Sequence, residues 1–172
     1  GWRGAGGALN DRRFCGGTAL VAVRVEDPGV FMATHALLLS LHGHGAVDGF
    51  RIDHPDGLAD PGGYLERLAD ATGDSWVVVE KILEGDETLP DGWRCAGTTG
   101  YDALLRVQQV LTPSAGIDAL DRLWADVAPE RAVLDDVVGE AKRLVVDDVQ
   151  AAEVDRLMRL VRRILPDLDQ AA

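Results

Sequence analysis

Cysteine is scarce in this chain of 172 residues: Cys15 and Cys95 are its two, 80 positions apart and without a CxxC pair. That rules out a disulfide framework or a zinc knuckle and fits a reducing cytoplasm. Long apolar runs are missing as well. Stretches such as 36–39 (ALLL) and 76–79 (WVVV) fall far short of the roughly 20 residues needed to span a bilayer, so no membrane partner is expected. Basic residues are few. With 17 Lys and Arg against 29 Asp and Glu, the net charge is −12, which leaves no basic face for phosphate contacts and argues against a nucleic-acid partner. The row Arg156, Arg159, Arg162 and Arg163 has the spacing of a solvated helix face. A neutral ligand, such as a sugar, would be indifferent to the acidity. The opening GWRGAGGALNDRR starts on Gly1 and has no apolar segment of the signal-peptide kind, and the chain is expected to be part of a longer protein. What is present is a hydrophobic fraction of 47%, enough to bury one core or part of a larger one.

Two segments share one grammar. In residues 27–43 (DPGVFMATHALLLSLHG) Asp27 is placed to cap a helix and Pro28 to occupy its first position. Val30, Phe31, Thr34, Leu37, Leu38 and Leu41 are expected on one face, and Gly43 closes the segment. Residues 60–73 (DPGGYLERLADATG) repeat this with Asp60, Pro61, a Tyr64, Leu65 and Leu68 stripe, and Gly73. After each helix comes a stretch of strand length, 46–53 (AVDGFRID) and 75–80 (SWVVVE). The second is apolar on both faces, which predicts a parallel sheet covered on both sides, the α/β arrangement. Residues 81–100, with glycines, prolines and no period, read as a long loop over the strand ends. Residues 101–110, 115–128 and 131–165 read as helices, the last carrying a continuous apolar stripe from Val133 to Leu165.

The stretch GFRIDHPDG, residues 49–57, places charge directly behind a buried strand. Alternation puts Gly49, Arg51 and Asp53 on one face and Phe50 and Ile52 on the other. Asp53 then stands at a carboxyl end, where parallel α/β folds keep their ligand sites, and Glu80 ends the second strand in the same way. The two acids are 27 positions apart, about one strand-helix-strand step. Neighbouring strands are about 4.8 Å apart, close to the roughly 5 to 5.5 Å that a retaining glycosidase needs between its carboxyls. Arg51 would favour an ionised Asp53, as a nucleophile requires, and the apolar run before Glu80 would favour a protonated general acid. The bland alternative is that both acids cap or solubilise strand ends. A metal site from His42, His44, His54, Asp56 and Asp60 is not expected, because no HxxxH or HExxH spacing occurs. Residues 96–102 (AGTTGYD) are read as neither following a strand nor opening a helix, so no phosphate loop is expected.

Several motifs in order carry a resemblance: GFRIDHPDGLADPGGYL, WVVVEKILEGDETLP and CAGTTGYDALLRV, with LNDRRFCGGTALVAVRVEDPGVFMATH upstream and EAKRLVVDDVQAAEVDRLMRL downstream. Together they resemble the malto-oligosyltrehalose synthases, a branch of the α-amylase superfamily of glycoside hydrolases, over nearly the whole chain. The resemblance implies an α/β fold: residues 1–110 as part of a catalytic (β/α)8 TIM barrel holding two central strands, and residues 111–172 as a mainly α-helical insertion. It implies Asp53 as nucleophile, with Arg51 before it in the RxD motif, and Glu80 as acid/base. His54, Asp56 and Lys81 would line the substrate cleft. The reaction implied converts the reducing-end α-1,4 bond of a maltooligosaccharide into an α,α-1,1 link, without a cofactor. A hydrolase or glucanotransferase of the same superfamily is the alternative, and a catalytically silent helical fragment a second. Asp11 and Cys15 depart from the family's pattern, which puts that wall of the cleft in doubt. The third carboxylate and the early strand motif of the superfamily are not found in the chain, so the remainder of a parent barrel is an expected partner.

Overall fold

The computed structural model describes residues 22–131 and 133–166. Asp11 and Cys15 lie outside them. Residues 23–113 form one compact unit, and the helices from Ser114 onward belong to a second.

The first unit begins as its caps dictate. In α1 (Pro28–Gly43) the Asp27 carboxylate accepts from the backbone N–H groups of Gly29 at 2.8 Å and Val30 at 3.2 Å. The strand β1 (Gly49–Ile52) follows, then a single 3₁₀ turn (Pro55–Gly57). In α2 (Pro61–Thr72) Asp60 caps the start, and Gly73 ends the helix at φ 66, the left-handed region that glycine enters without cost. The strand β2 (Trp76–Val79) pairs in parallel with β1, Gly49 opposite Trp76 through Ile52 opposite Val79. A Cβ on Gly49 would lie 2.4 Å from the Trp76 carbonyl oxygen, so this pairing admits no side chain there.

A third strand, β3 (Gly97–Thr98), pairs in parallel with β2, giving the order β1-β2-β3. It corrects the reading of residues 81–100 as loop and of the sheet as two strands. Two residues are too few to show a period. What makes them strand is β2, whose Val77 and Val79 carbonyls accept from Ala96 N–H at 2.7 Å and Thr99 N–H at 3.0 Å. Gly100 then opens α3 (Tyr101–Leu111), so AGTTGYD contains a short strand and opens a helix, though not with phosphate-loop spacing.

The core lies between the helices and one face of the sheet. Phe31, Tyr64, Leu65, Leu68, Val77 and Val79 are buried, with Leu39, Phe50, Ile52 and Trp93 packed against them. Each fully buried Phe, Leu or Val among them stabilises the fold by roughly 1.5 to 3 kcal/mol. The buried line of α1 is not the predicted leucine stripe. Phe31 and the half-buried His35, Leu39 and His42 face inward, while Leu37 is 70% exposed. His35 stacks on Phe31 with ring centroids 4.1 Å apart, and its Nε2 meets the Tyr64 hydroxyl at 2.9 Å. Its polar atoms are satisfied, so the ring serves as core. The sheet is likewise covered on one face only among the described residues of this unit. Arg51, Trp76 and Val78 line an open groove on the other, and Trp76 is 63% exposed.

The second unit contains α4 (Ser114–Val127), α5 (Leu134–Leu144) and α6 (Ala151–Ile164). The single helix predicted over 131–165 is interrupted by a π turn at Val145–Val149. There Gln150 N–H donates to Val145 carbonyl, five residues back, at 2.9 Å, which inserts an extra residue and breaks the 3.6-residue period. Among the described residues of this unit no side chain is fully buried.

Candidate active site

The ends of β1 and β2 are aligned by the ladder itself. Glu80 N–H donates to the Ile52 carbonyl at 2.7 Å, which carries the 27-residue register of the strands one step further, to Asp53 and Glu80. Both acids stand at carboxyl ends, as alternation along β1 predicts.

Arg51 links them. Its Nη1 lies 2.7 Å from Asp53 Oδ1, and its Nη2 lies 3.8 Å from Glu80 Oε1. The other Glu80 oxygen accepts from the backbone N–H of His54 at 3.1 Å. Glu80 is the more enclosed acid, with its side chain 23% exposed against 63% for Asp53.

A second group continues from the first. His54 Nδ1 is 3.6 Å from Asp56 Oδ1, an ion pair when the ring is protonated, and Asp56 Oδ2 is 3.7 Å from Lys81 Nζ. Lys81 Nζ also meets Glu87 at 2.9 Å and donates to the Ile82 carbonyl at 3.2 Å. The hydrogen bond to Glu87 is the largest influence holding the Lys81 ammonium above its ordinary range, and the same bond, aided by Glu84 N–H, holds Glu87 below the usual carboxylate range. Lys81 thus joins the turn after β1 to the loop after β2. All six residues singled out in the sequence, Arg51, Asp53, His54, Asp56, Glu80 and Lys81, lie in one chain of contacts.

Sequence reasoning did not find Glu87, which sits in an aperiodic loop and shows its role only through Lys81. It also did not find the cleft of about 560 Å³ beside that loop, lined by residues including Asp86, Glu87, Thr98, Asp102 and Arg106. There the Thr98 hydroxyl hydrogen-bonds to Asp102 Oδ1 and is the main cause holding that carboxyl low. Among the described residues no group of three or more His, Cys, Asp or Glu side chains is disposed to hold a metal ion, and no helix is long and apolar enough to cross a membrane.

Fold and site together define a class: a parallel α/β segment with acids at neighbouring strand ends. No protein-family model matches the chain. A protein of Mycobacterium tuberculosis strain H37Rv, provisionally named maltooligosyl trehalose synthase, is 38% identical over 162 residues, 94% of this chain and 21% of that protein. The structure of maltooligosyltrehalose synthase from Arthrobacter ramosus is similar with a TM-score of 0.83 and 45% identity, over 88% of this chain and 20% of that one. That of a hypothetical maltooligosyl trehalose synthase from Sulfolobus tokodaii gives 0.76 and 33%, over 90% and 21%. By sequence and by fold the chain corresponds to one segment of the maltooligosyl trehalose synthases, and it spans about 21% of the length of the curated relatives it matches.

Proposed function

We propose that the chain supplies the nucleophile and the acid/base of an intramolecular transglucosylation that turns the reducing-end α-1,4 linkage of a maltooligosaccharide into an α,α-1,1 linkage. Asp53 attacks the anomeric carbon while Glu80 gives its proton to the leaving glycosidic oxygen, forming a covalent glycosyl-enzyme. The freed glucose stays in the cleft, turns over, and returns through its own anomeric hydroxyl, whose proton passes to Glu80. His54, Asp56 and Lys81 line the substrate cleft and hold its loops, and no cofactor takes part. The reaction would run in the cytoplasm.

The observation that carries this reading is Arg51 in contact with two carboxyls on adjacent strand ends. In the whole protein, residues 1–110 would form part of a (β/α)8 barrel and residues 111–172 a helical insertion. The exposed sheet face with Arg51, Trp76 and Val78 would then look into the barrel. The third carboxylate would come from chain outside these residues, so the 172-residue chain alone is expected to be inactive.

The test incubates the full-length protein with maltopentaose. Loss of reducing ends without shortening supports the isomerase, shorter sugars indicate a hydrolase, and no change favours a silent segment. Asp53→Asn and Glu80→Gln should each abolish turnover, with about 10²-fold loss as the least expected from removing an acid/base group. Near-normal turnover in either variant would sink the assignment.

A further inference from the structure

Directly after Asp53 the backbone enters a region that side-chain-bearing residues seldom occupy. His54 has φ 48 and ψ 51, a left-handed conformation that persists in a non-glycine residue where its surroundings over-determine it. Those surroundings are visible. The next residue, Pro55, is buried, Gly57 N–H donates back to the His54 carbonyl at 3.1 Å, and Leu58 N–H to the Pro55 carbonyl at 3.0 Å. The imidazole lies over Gly57, where a Cβ would stand 2.4 Å from its Cδ2. With the strand ended at Ile52, the His54 N–H is turned across to the neighbouring strand end and donates to Glu80 Oε2 at 3.1 Å. The ring points elsewhere, with Nδ1 3.6 Å from Asp56.

We propose that His54 is a positioning residue for Glu80 whose left-handed backbone, not its imidazole, does the positioning. The N–H fixes one carboxyl oxygen while Arg51 stands 3.8 Å from the other, so the side chain is held in one rotation. The inference rests on the reading of Glu80 as acid/base.

The two parts of His54 can be separated by substitution, because Gly and Asn enter the left-handed region readily and a β-branched residue does not. In the full-length protein acting on maltopentaose, His54→Gly and His54→Asn should raise KM through loss of the ring, with kcat within about fivefold of wild type. His54→Val should lower kcat roughly 100-fold, the scale of a misplaced catalytic group. Equal kcat losses in all three variants, or no loss in His54→Val, would overturn the inference. Should His54→Val not fold, as read by a thermal melt, His54→Ala against His54→Gly makes the same comparison. A kcat gap of roughly tenfold supports the inference, and the absence of a gap overturns it. Glu80→Gln tells the two failures apart: wild-type turnover there removes the acid/base reading and this inference with it, whereas a dead Glu80→Gln with uniform kcat across the His54 variants removes the inference alone.

Discussion

Replacing Arg51 with methionine separates what this side chain does for stability from what it does for the reaction. Its contacts are at the surface: the arginine side chain is 52% exposed and Asp53 63%, at 2.7 Å, with Glu80 farther away at 3.8 Å. Exposed pairs of this kind contribute about 0 to 1 kcal/mol after solvent screening, so the melting temperature of the 172-residue chain should fall by no more than roughly 4 °C. Two other quantities change more. Orientation of Asp53 is lost, and a misplaced nucleophile costs up to about 100-fold. The cation next to both acids is also lost. In the proposed reaction Glu80 enters protonated, so the charge that matters is that of Asp53, which the guanidinium at 2.7 Å stabilises by roughly 1.5 kcal/mol in water. With both side chains more than half exposed, about 1 kcal/mol of this remains after screening, a factor of about 5. Orientation and charge are not independent, and kcat/KM should fall about 100-fold in the full-length protein, measured on maltopentaose. Arg51→Lys should recover part of it, because the charge returns without the planar fork. Activity within about threefold of wild type in Arg51→Met would refute the role of the guanidinium. A melting temperature lowered by more than about 8 °C would refute the premise that Arg51 is not structural.

The remaining predictions concern the core and the loop. Phe31→Ala should lower stability by about 3 to 5 kcal/mol, whereas Leu37→Ala, at a position 70% exposed, should change it by no more than about 0.5 kcal/mol. Urea midpoints of the chain test this, and a larger effect at Leu37 would put the core on the wrong face of α1. The Lys81–Glu87 bond makes the 82–87 loop depend on pH. Glu87 is depressed in the folded state, so its contribution is present above the ordinary carboxyl pKa of about 4.3 and lost as pH falls through the lower folded value. Lys81 is raised, so its contribution is complete below about pH 10.4 and lost as pH climbs through the higher folded value. Hydrogen exchange of residues 82–87 should therefore stay constant from about pH 5 to 9, after correction for the intrinsic rate, and rise at lower pH. An unchanged profile in Glu87→Gln would count against the bond.

The parts of the fold that could be read in the sequence are those written in local chemistry. Both Asp-Pro-Gly openings became helix starts, because a carboxylate accepts the first free N–H groups and proline needs none. The spacing of the strands emerged from one complete β-helix-β step. The inward face of α1 could not be read. Leu37, Leu38 and Leu39 are consecutive, so hydrophobicity points in three directions at once. The position that decides the matter is His35, a polar residue whose ring is stacked on Phe31 and whose nitrogens are satisfied. The break at Val145–Val149 was equally hidden, because its valines continue the apolar pattern while the backbone adds a residue.

The site divides along the same line, and this bears on how its chemistry should be tested. Strand alternation is a property of the backbone, so the carboxyl-end positions of Asp53 and Glu80 could be derived from spacing alone. Contacts made by loops have no period. The Lys81–Asp56 contact and the bond from His54 N–H to Glu80 depend on where two loops meet, and no single segment contains that information. Spacing can therefore nominate candidate groups, but the orientation proposed for them depends on residues that spacing does not reach. Substituting Asp53 or Glu80 asks whether the right acids were chosen. Substituting His54 by residues of differing backbone preference asks the separate question of how Glu80 is aimed, and the two answers need not agree.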